Sequence, residues 1–491
     1  MQISKSDYML FLKHPAWLWL KKHDKSKLPH VDEETRAIFA AGNLFESYAE
    51  QLFPSGVRRS FTDYDEYLSL PTRTQKALDE GAVTIFQGRF EYQQLTFICD
   101  VITKVGDKEV DLYEIKSSTK VKPEHVDDLA FQTVVLEACG YGVRKIAVIH
   151  VNGDYVRHGN INSKEITAIS DITAKVIEKR EETKANIKKA LQVIASSKIP
   201  DISPSFARMG SLADWIEIYQ GLTTVDRESI YDLVSIGASK IGRLEELKIK
   251  RLIDIQDEFP LTNKQRLQVQ ATRQGREIVN KSAVKKFLNK LVFPLYFLDY
   301  ETLSSVIPYF DGLSPYQDVP FQYSLHVLEK PDGEIKHKMY LHKENSNPAE
   351  ALSQSLKSDI GIKGSILVWN EGFEKNCNES LGRLLPKFKS FYKRLNSRIV
   401  DLMTPFFSDW YVHKDFHGSA SLKKVLPVLV TELSYDELGI HEGATAQRLW
   451  MQAVLDGKRN DSKEQILNDL EAYCKLDTLA MVEIYKQLLK I

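Results

Sequence analysis

The chain has 491 residues, with 66 Lys plus Arg against 67 Asp plus Glu and a formal net charge of −1. That balance excludes a binder that works by bulk positive charge, while leaving room for basic patches offset by acidic metal sites. Hydrophobic residues make up 43% and charged residues 27%, so two to four globular domains of roughly 100–200 residues are expected.

No apolar run is long enough to cross a bilayer, and no membrane partner is expected. The start, Met1-Gln2-Ile3-Ser4-Lys5-Ser6-Asp7, lacks the charged-then-apolar plan of a signal peptide, so a cytoplasmic location is the expectation. Cys99, Cys139, Cys377 and Cys474 form no CxxC pair, which predicts reduced thiols rather than a zinc ribbon or disulfide framework.

In chain order, the first part alternates helical and strand patterns, which is α/β character. An amphipathic helix opens at Ala40-Ala41-Gly42 and runs to Phe53, carrying Glu46. Residues 95–104 and 110–116 read as two strands joined by the turn chemistry of Val105-Gly106-Asp107-Lys108. Asp100 lies on the first arm. Glu114 and Lys116, two apart on the second, share a face, with Cys99, Tyr113 and Ile115 turned the other way into a core. A helix with Asp127, Asp128 and Gln132 precedes the strand of residues 145–151. Hard carboxylate oxygens beside an ammonium suit Mg²⁺ or Mn²⁺ and phosphodiester hydrolysis; the competing reading is a surface hairpin with a cross-strand ion pair.

This order resembles the RecB-like PD-(D/E)XK nucleases, and implies their restriction-endonuclease-like αβββαβ core. The resemblance implies that Glu46, Asp100, Glu114 and the Ile115 carbonyl hold one or two metal ions. It makes Lys116 the catalytic lysine and lets Gln132 contact the substrate or that lysine. Glu46 stands where many relatives have His, and Leu136 where many have Tyr. Some relatives bind an iron–sulfur cluster through a Cys-Pro pair; here the pair is His14-Pro15 with no cysteine triad, so no cluster is expected.

A charged segment over 164–198 reads as helix, and residues 206–290 read as helical throughout. The stretch around Gly237, Lys240 and Gly242 loosely resembles a helix-hairpin-helix, whose backbone N–H groups would grip a phosphate; the alternative is a plain helical linker. Lys285 and Lys286, and the aromatic-interleaved run with Lys387, Lys393 and Arg394, are candidate nucleic-acid contacts or solvated faces.

A second α/β pattern starts at the apolar run of residues 291–298. Asp299 and Glu301 follow on a core strand, two apart and on one side. Residues 365–369 form a strand leading into a helix that carries Glu374, and Asp401 follows a further short strand as a candidate cap or supporting carboxylate. Ser419 or Ser421 is the expected cap of a helix starting Ser-Leu-Lys. A final helix over 467–490 puts Tyr473 and Asp477 one turn apart on one face.

This block resembles the DnaQ-like DEDD exonucleases of ribonuclease-H-like fold, in a bacterial family found attached to RecB-like nucleases. The resemblance implies that Asp299, Glu301, Glu374 and Asp477 hold Mg²⁺ or Mn²⁺, and that Tyr473 assists the attacking water. Ala472 occupies the place of the alternative histidine, and Glu374 stands where the motif usually has Asp. The organisation expected is a nuclease domain over 1–205, a helical connector over 206–285 and an exonuclease domain over 286–491. The expected partner is nucleic acid, DNA ahead of RNA. The alternatives are an RNA 3′–5′ exonuclease, or a nucleic-acid-binding scaffold with degenerate sites.

Overall fold

The computed structural model describes residues 1–225, 228–436 and 438–491. The chain divides into two compact units: Met1–Val225 with Gly237–Glu246, and Asp226–Ile236 with Leu247–Ile491. The stretch expected as a separate connector is thus shared out between them. It is also not helical throughout, because loops and single 3₁₀ turns separate its helices.

The N-terminal unit runs β1 (Ile3–Ser4), α1 (Lys5–Lys13), α2 (Pro15–His23), α3 (Glu33–Ala49), β2 (Val57–Arg58), α4 (Tyr64–Asp79), β3 (Thr84–Phe86), β4 (Arg89–Tyr92), β5 (Leu95–Ile98) and β6 (Val101–Lys104). It continues through β7 (Glu109–Lys116), α5 (Pro123–Ala138), β8 (Gly142–Val151), α6 (Ser163–Ile166), β9 (Thr167–Asp171), α7 (Thr173–Ala195), α8 (Leu212–Leu222) and α9 (Ala238–Glu246). Six strands form one mixed sheet in the order β2-β3-β6-β7-β8-β9, and β1-β5-β4 form a second. The hairpin is present, with Val101 opposite Tyr113 and Lys104 opposite Val110. Its first arm, though, is broken: β5 pairs with β1 and β4, whereas β6 pairs with β3 and β7, so Cys99 and Asp100 sit at the switch between sheets.

Strands β7 and β8 are parallel, which requires a crossover, and α5 supplies it. Val110 and Leu112 of β7 join the core cluster with Leu129, Phe131 and Leu136 of α5. By the two-residue period of a strand, Glu114 and Lys116 continue that row. The expected site face is therefore an extension of the main core row, and Tyr113, on the other face, packs against Phe53. Helix α3 begins at Glu33, capped by Asp32, seven residues before the glycine-containing start expected from sequence. The charged 164–198 segment begins in the short helix α6 and passes through strand β9, paired antiparallel with β8, before α7 takes over.

The C-terminal unit comprises α10 (Asn263–Gln274), β10 (Ile278–Val279), α11 (Lys281–Leu288), β11 (Leu295–Leu303), β12 (Val319–Leu328), β13 (Ile335–Leu341), α12 (Ala349–Asp359), β14 (Ser365–Val368), α13 (Glu371–Leu384) and α14 (Lys389–Asn396). After these come β15 (Ile399–Asp401), α15 (Thr404–Phe407), β16 (Tyr411–Val412), α16 (Leu422–Leu429), α17 (Gly443–Trp450) and α18 (Lys463–Leu489). Its main sheet has the order β13-β12-β11-β14-β15, antiparallel through the first three strands and parallel across β11, β14 and β15.

The two faces of β11 feed two cores. Tyr296, Leu298 and Tyr300 pack with α12, α13 and α14, while Leu295, Phe297 and Leu303 pack with α16, α17 and α18. Asp299 and Glu301 belong to the second row, so the same period that buries Phe297 aims both carboxylates at α18. A register shift between Glu301 and Thr302 interrupts the ladder, which resumes with Thr302 opposite Pro320 and Leu303 opposite Val319. Bulges of this kind re-aim side chains next to functional sites.

Among the described residues, no helix is long and apolar enough to cross a membrane.

Candidate functional sites

In the N-terminal unit, Glu114 is the hub. Lys116 Nζ donates to Glu114 Oε1 at 2.7 Å and to Asp128 at 3.1 Å. Gln132 Nε2 donates to Glu114 Oε2 at 2.7 Å and to Asp128 Oδ1 at 2.9 Å. Asp100 accepts the Ile115 backbone N–H at 2.7 Å, which fixes the switch residue against β7. A further cation, Lys5 at the start of α1, lies 2.8 Å from Glu114 Oε1 and 3.9 Å from Asp100 Oδ1. Neither Lys5 nor Asp128 was singled out from the sequence as a site residue. Lys5 is more than 90 residues from the carboxylates, and no local pattern links it to them.

These charges set the protonation states. Burial and then the neighbouring Glu114 push Asp100 up to about 7. Burial opposes the charged form of Glu114 as well, yet Lys116 and Lys5 outweigh it and hold that carboxyl far below its usual range. Burial works against the Lys116 ammonium, but Glu114 and Asp128 raise it above its ordinary value. Glu46 does not join the group. Its carboxylate takes Gln87 Nε2 at 2.8 Å and Arg58 at 3.1 Å, and Gln87 N–H in turn bonds the Asp100 carbonyl. Glu46 is thus one residue removed from the Asp100–Glu114 pair.

In the C-terminal unit, the carboxyl ends of β11 and β14 open onto a cleft of about 660 Å³. It is lined by Asp299, Glu301, Tyr473, Asp477, Lys423 and the apolar Trp369, Phe373 and Met403, among others. Crevices outside the carboxyl ends of strands are the usual ligand sites of α/β sheets. Ligand atoms of Asp299, Glu301 and Cys474 all lie within 4.8 Å of one another. The Cys474 thiol donates to Asp299 Oδ2 at 3.6 Å. Burial, then Asp477, pushes Asp299 well up; burial, then Asp299, does the same to Glu301. Asp477 rises to about 6 through burial, partly offset by Tyr435 and Lys423.

Glu374, in the first turn of α13, is buried and is not among the residues that line the cleft, and its Oε2 has no hydrogen-bond partner among the described residues. Burial, then the Asp299 charge, raises it strongly. Asp401 acts as the cap of α13, accepting the N–H groups of Asn370 and Glu371 at 3.1 Å each, and that of Met403 at 2.9 Å. Asn370 itself has φ +83°, a left-handed turn that asparagine tolerates. Neither Ser419 nor Ser421 caps α16 through its side chain; Ser419 Oγ accepts the Ser421 N–H instead.

Tyr473 lines the cleft, its phenol pushed far up by burial and then by Asp477. A second tyrosine, Tyr435, donates to Asp477 Oδ1 at 2.5 Å. Lys423 Nζ stands 5.8 and 5.7 Å from the Tyr435 and Tyr473 ring centres and donates to the His441 carbonyl. It also lines an adjoining cavity with Tyr435, His441 and Glu442.

The basic residues are dispersed. Lys240 lies on α9 of the N-terminal unit, and Lys285 and Lys286 are exposed on α11. Lys387 pairs with Glu350. Lys393 lines a groove of about 330 Å³ with Lys389 and Arg383, and Arg394 beside it is exposed.

Residues 296–421 match the model of a domain of unknown function, DUF2779. That span takes in Asp299, Glu301 and Glu374 and stops before Lys423, Tyr473 and Asp477. Over 233 residues the chain is 27% identical to Uncharacterized protein MG366 of Mycoplasma genitalium, covering 43% of this chain and 34% of that protein. It is 25% identical over 222 residues to the MG366 homolog of Mycoplasma pneumoniae, covering 42% and 33%. A third relative, Uncharacterized protein UU173 of Ureaplasma parvum, is 24% identical over 229 residues, 42% of this chain and 32% of that protein. The chain therefore spans about a third of the length of the curated relatives it matches.

Proposed function

We propose that this protein is a metal-dependent nuclease with a phosphodiester-hydrolysing site in each unit, acting on single strands or ends of DNA. Repair or degradation of foreign DNA is the setting that suits such an activity.

The observation that carries this reading is the carboxylate group of the C-terminal cleft. Asp299, Glu301 and Asp477 share the cleft with their acidities depressed by burial, and in Asp299 and Glu301 by neighbouring carboxylates as well, while Glu374 Oε2 is buried with no hydrogen-bond partner among the described residues. Concentrated buried anion is expensive unless a cation compensates it. Hard oxygen donors select Mg²⁺ or Mn²⁺, and Asp299, Glu301 and Asp477, with Glu374 behind, are the residues that would hold it. When bound, such an ion polarises a phosphate oxygen and makes a coordinated water more acidic. The protein's own part is positioning. Tyr473, held protonated, donates its hydroxyl to keep an attacking water in line with phosphorus. Lys423 faces a phosphate oxygen, and Trp369 and Phe373 offer ring faces to bases.

The N-terminal reading draws support from α3, the sheet strands β3, β6 and β7, α5 and β8, which come in the αβββαβ order the resemblance implies with β2, α4, β4 and β5 inserted among them, and from Asp100, Glu114 and Lys116 gathered near one another there. There the donor set is again hard oxygen, and an ammonium already stands as a cation between Asp100 and Glu114.

The test is degradation of end-labelled single- and double-stranded DNA and RNA in Mg²⁺ or Mn²⁺. Wild-type cleavage that is lost stepwise in Lys116→Ala and Asp477→Asn supports two sites. Binding without cleavage under every condition sinks the reading in favour of a scaffold.

A further inference from the structure

The N-terminal site is nearly neutralised by its own side chains. Three carboxylates, Asp100, Glu114 and Asp128, face two ammonium groups, Lys5 and Lys116. Both ammonium groups bond the same oxygen, Glu114 Oε1, while Gln132 covers the other. Lys116 has a second carboxylate in Asp128, so it retains an ion pair if Glu114 turns to another cation. Among the described residues, the ion pairs of Lys5 are those with Asp100 and Glu114.

The backbone under Lys5 is anchored on both sides. Ile3 and Ser4 pair with Leu95 and Thr96 of β5. Ser4 and Asp7 form a reciprocal capping box at the start of α1, and Asp7 is pinned by Lys21 at 2.9 Å and Lys22 at 2.6 Å. The side chain is different: it is 24% exposed, and a four-carbon stem with a point charge reorients readily. A fixed base, a movable ammonium and a buried carboxylate pair make an exchangeable counter-ion.

We propose that Lys5 is a working cation of the N-terminal site, exchanging between the Asp100–Glu114 pair and a substrate phosphate. This rests on the nuclease reading of that unit. In the metal-free protein Lys5 occupies the two carboxylates and competes with a divalent cation for them. Once the cation holds the pair, the ammonium is released beside the site, on an anchored backbone, where a phosphodiester oxygen is its natural partner. The first turn of α1 is then part of the substrate-binding surface.

The test uses the full chain with Asp299→Asn and Glu301→Gln, which removes metal binding at the second site. Calorimetry with MnCl₂ alone compares the parent with Lys5→Gln, Lys5→Met and Lys5→Arg. Removing the competing charge should tighten Mn²⁺ binding about tenfold in Lys5→Gln and Lys5→Met, and leave Lys5→Arg close to the parent. A phosphorothioate oligonucleotide in Mn²⁺ should bind Lys5→Gln about tenfold more weakly. Lys5→Met keeps the packing of the stem and serves if Lys5→Gln folds poorly. Equal or weaker Mn²⁺ binding in the neutral variants overturns the role of Lys5 while the metal site stands. Absence of Mn²⁺ binding in all four chains overturns the metal reading of this unit, and the proposal with it. Tighter Mn²⁺ binding with unchanged oligonucleotide affinity overturns the phosphate contact.

Discussion

The Tyr435 hydroxyl donates a 2.5 Å hydrogen bond to Asp477 Oδ1, joining a loop to the middle of α18 across 42 residues of sequence. That bond stabilises the ionised carboxylate, whereas burial opposes it. Tyr435→Phe should therefore raise the pKa of Asp477 further and weaken its hold on a divalent cation. The expected loss is several-fold in Mn²⁺ affinity, with about 1.5–3 kcal/mol of stability at stake for a hydrogen bond to a charged group. Calorimetry and thermal melting read the two separately. Unchanged Mn²⁺ affinity would show that the bond serves only the fold.

Tyr473 makes a different prediction. Its phenol is far too weak an acid to act as a base near neutral pH, so its contribution is positional. Tyr473→Phe keeps the ring in the core and deletes the hydroxyl. It should lower kcat by roughly tenfold to a thousandfold with little change in KM or melting temperature. Asp477→Asn should be more severe, and Lys116→Ala should leave this 3′-end degradation intact. A labelled single strand followed on a sequencing gel distinguishes these results. Parent-like 3′ trimming by both Tyr473→Phe and Asp477→Asn would reduce the C-terminal unit to a binding module.

The crowding of Asp299 and Glu301 predicts a trade of stability for function. Both carboxyls are raised by burial and by each other or Asp477, so their contribution to stability is full below the ordinary carboxylate range and declines as pH rises. At pH 7 and without metal, Asp299→Asn should stabilise the unit by about 1 kcal/mol. That corresponds to about 2–4 °C in Tm for a unit of this size. Mn²⁺ should raise the Tm of the parent more than that of the variant. Calorimetric scans with EDTA and with Mn²⁺ provide the comparison. A variant less stable than the parent in EDTA would contradict the repulsion argument.

Two buried histidines predict acid sensitivity. His14 is stacked on Trp215 at 3.8 Å between ring centres, and burial pulls it down to about 4. The Ala16 N–H donates to its Nδ1, so the ring proton sits on Nε2 and meets the Ser203 carbonyl. His326, beside Thr478 and His337, is pulled down to about 3, chiefly by burial. Both are depressed below the ordinary value of 6.5, so the neutral form is favoured in the fold. Their stability is fully present above pH 6.5 and is lost as pH falls towards the folded values. For His14 the loss is on the order of 3 kcal/mol by pH 4. Hydrogen exchange at stepped pH follows each unit by its own peptides. His14→Gln should flatten the pH slope in the peptides around α2 and α8, and an unaltered slope would rule out His14 as its source.

Much of the chemistry was legible from spacing alone. The strand period places Asp299 with Glu301, and Glu114 with Lys116, on common faces whatever the tertiary fold. The helical period does the same for Tyr473 and Asp477, and the α/β character follows from alternating patterns. What the sequence could not decide is who completes each group. Lys5, Tyr435 and Lys423 reach the sites through strand pairing and helix docking that no local pattern encodes, whereas Asp128, one helical turn before Gln132, and Cys474, beside Tyr473, are local neighbours whose part is decided only by what docks against their helices. The break at Cys99–Asp100 is of the same kind. An uninterrupted run of β-formers does not reveal that its halves pair with different partners, because strand pairing is a non-local choice. Strand β9 hid inside a charged segment since an edge strand with one solvated face carries little apolar signal. Glu46 shows the limit from the other side. Its helix is readable from the sequence, but Gln87 and Arg58, which only the tertiary structure brings to it, take up the carboxylate and hold it one residue away from the Asp100–Glu114 pair.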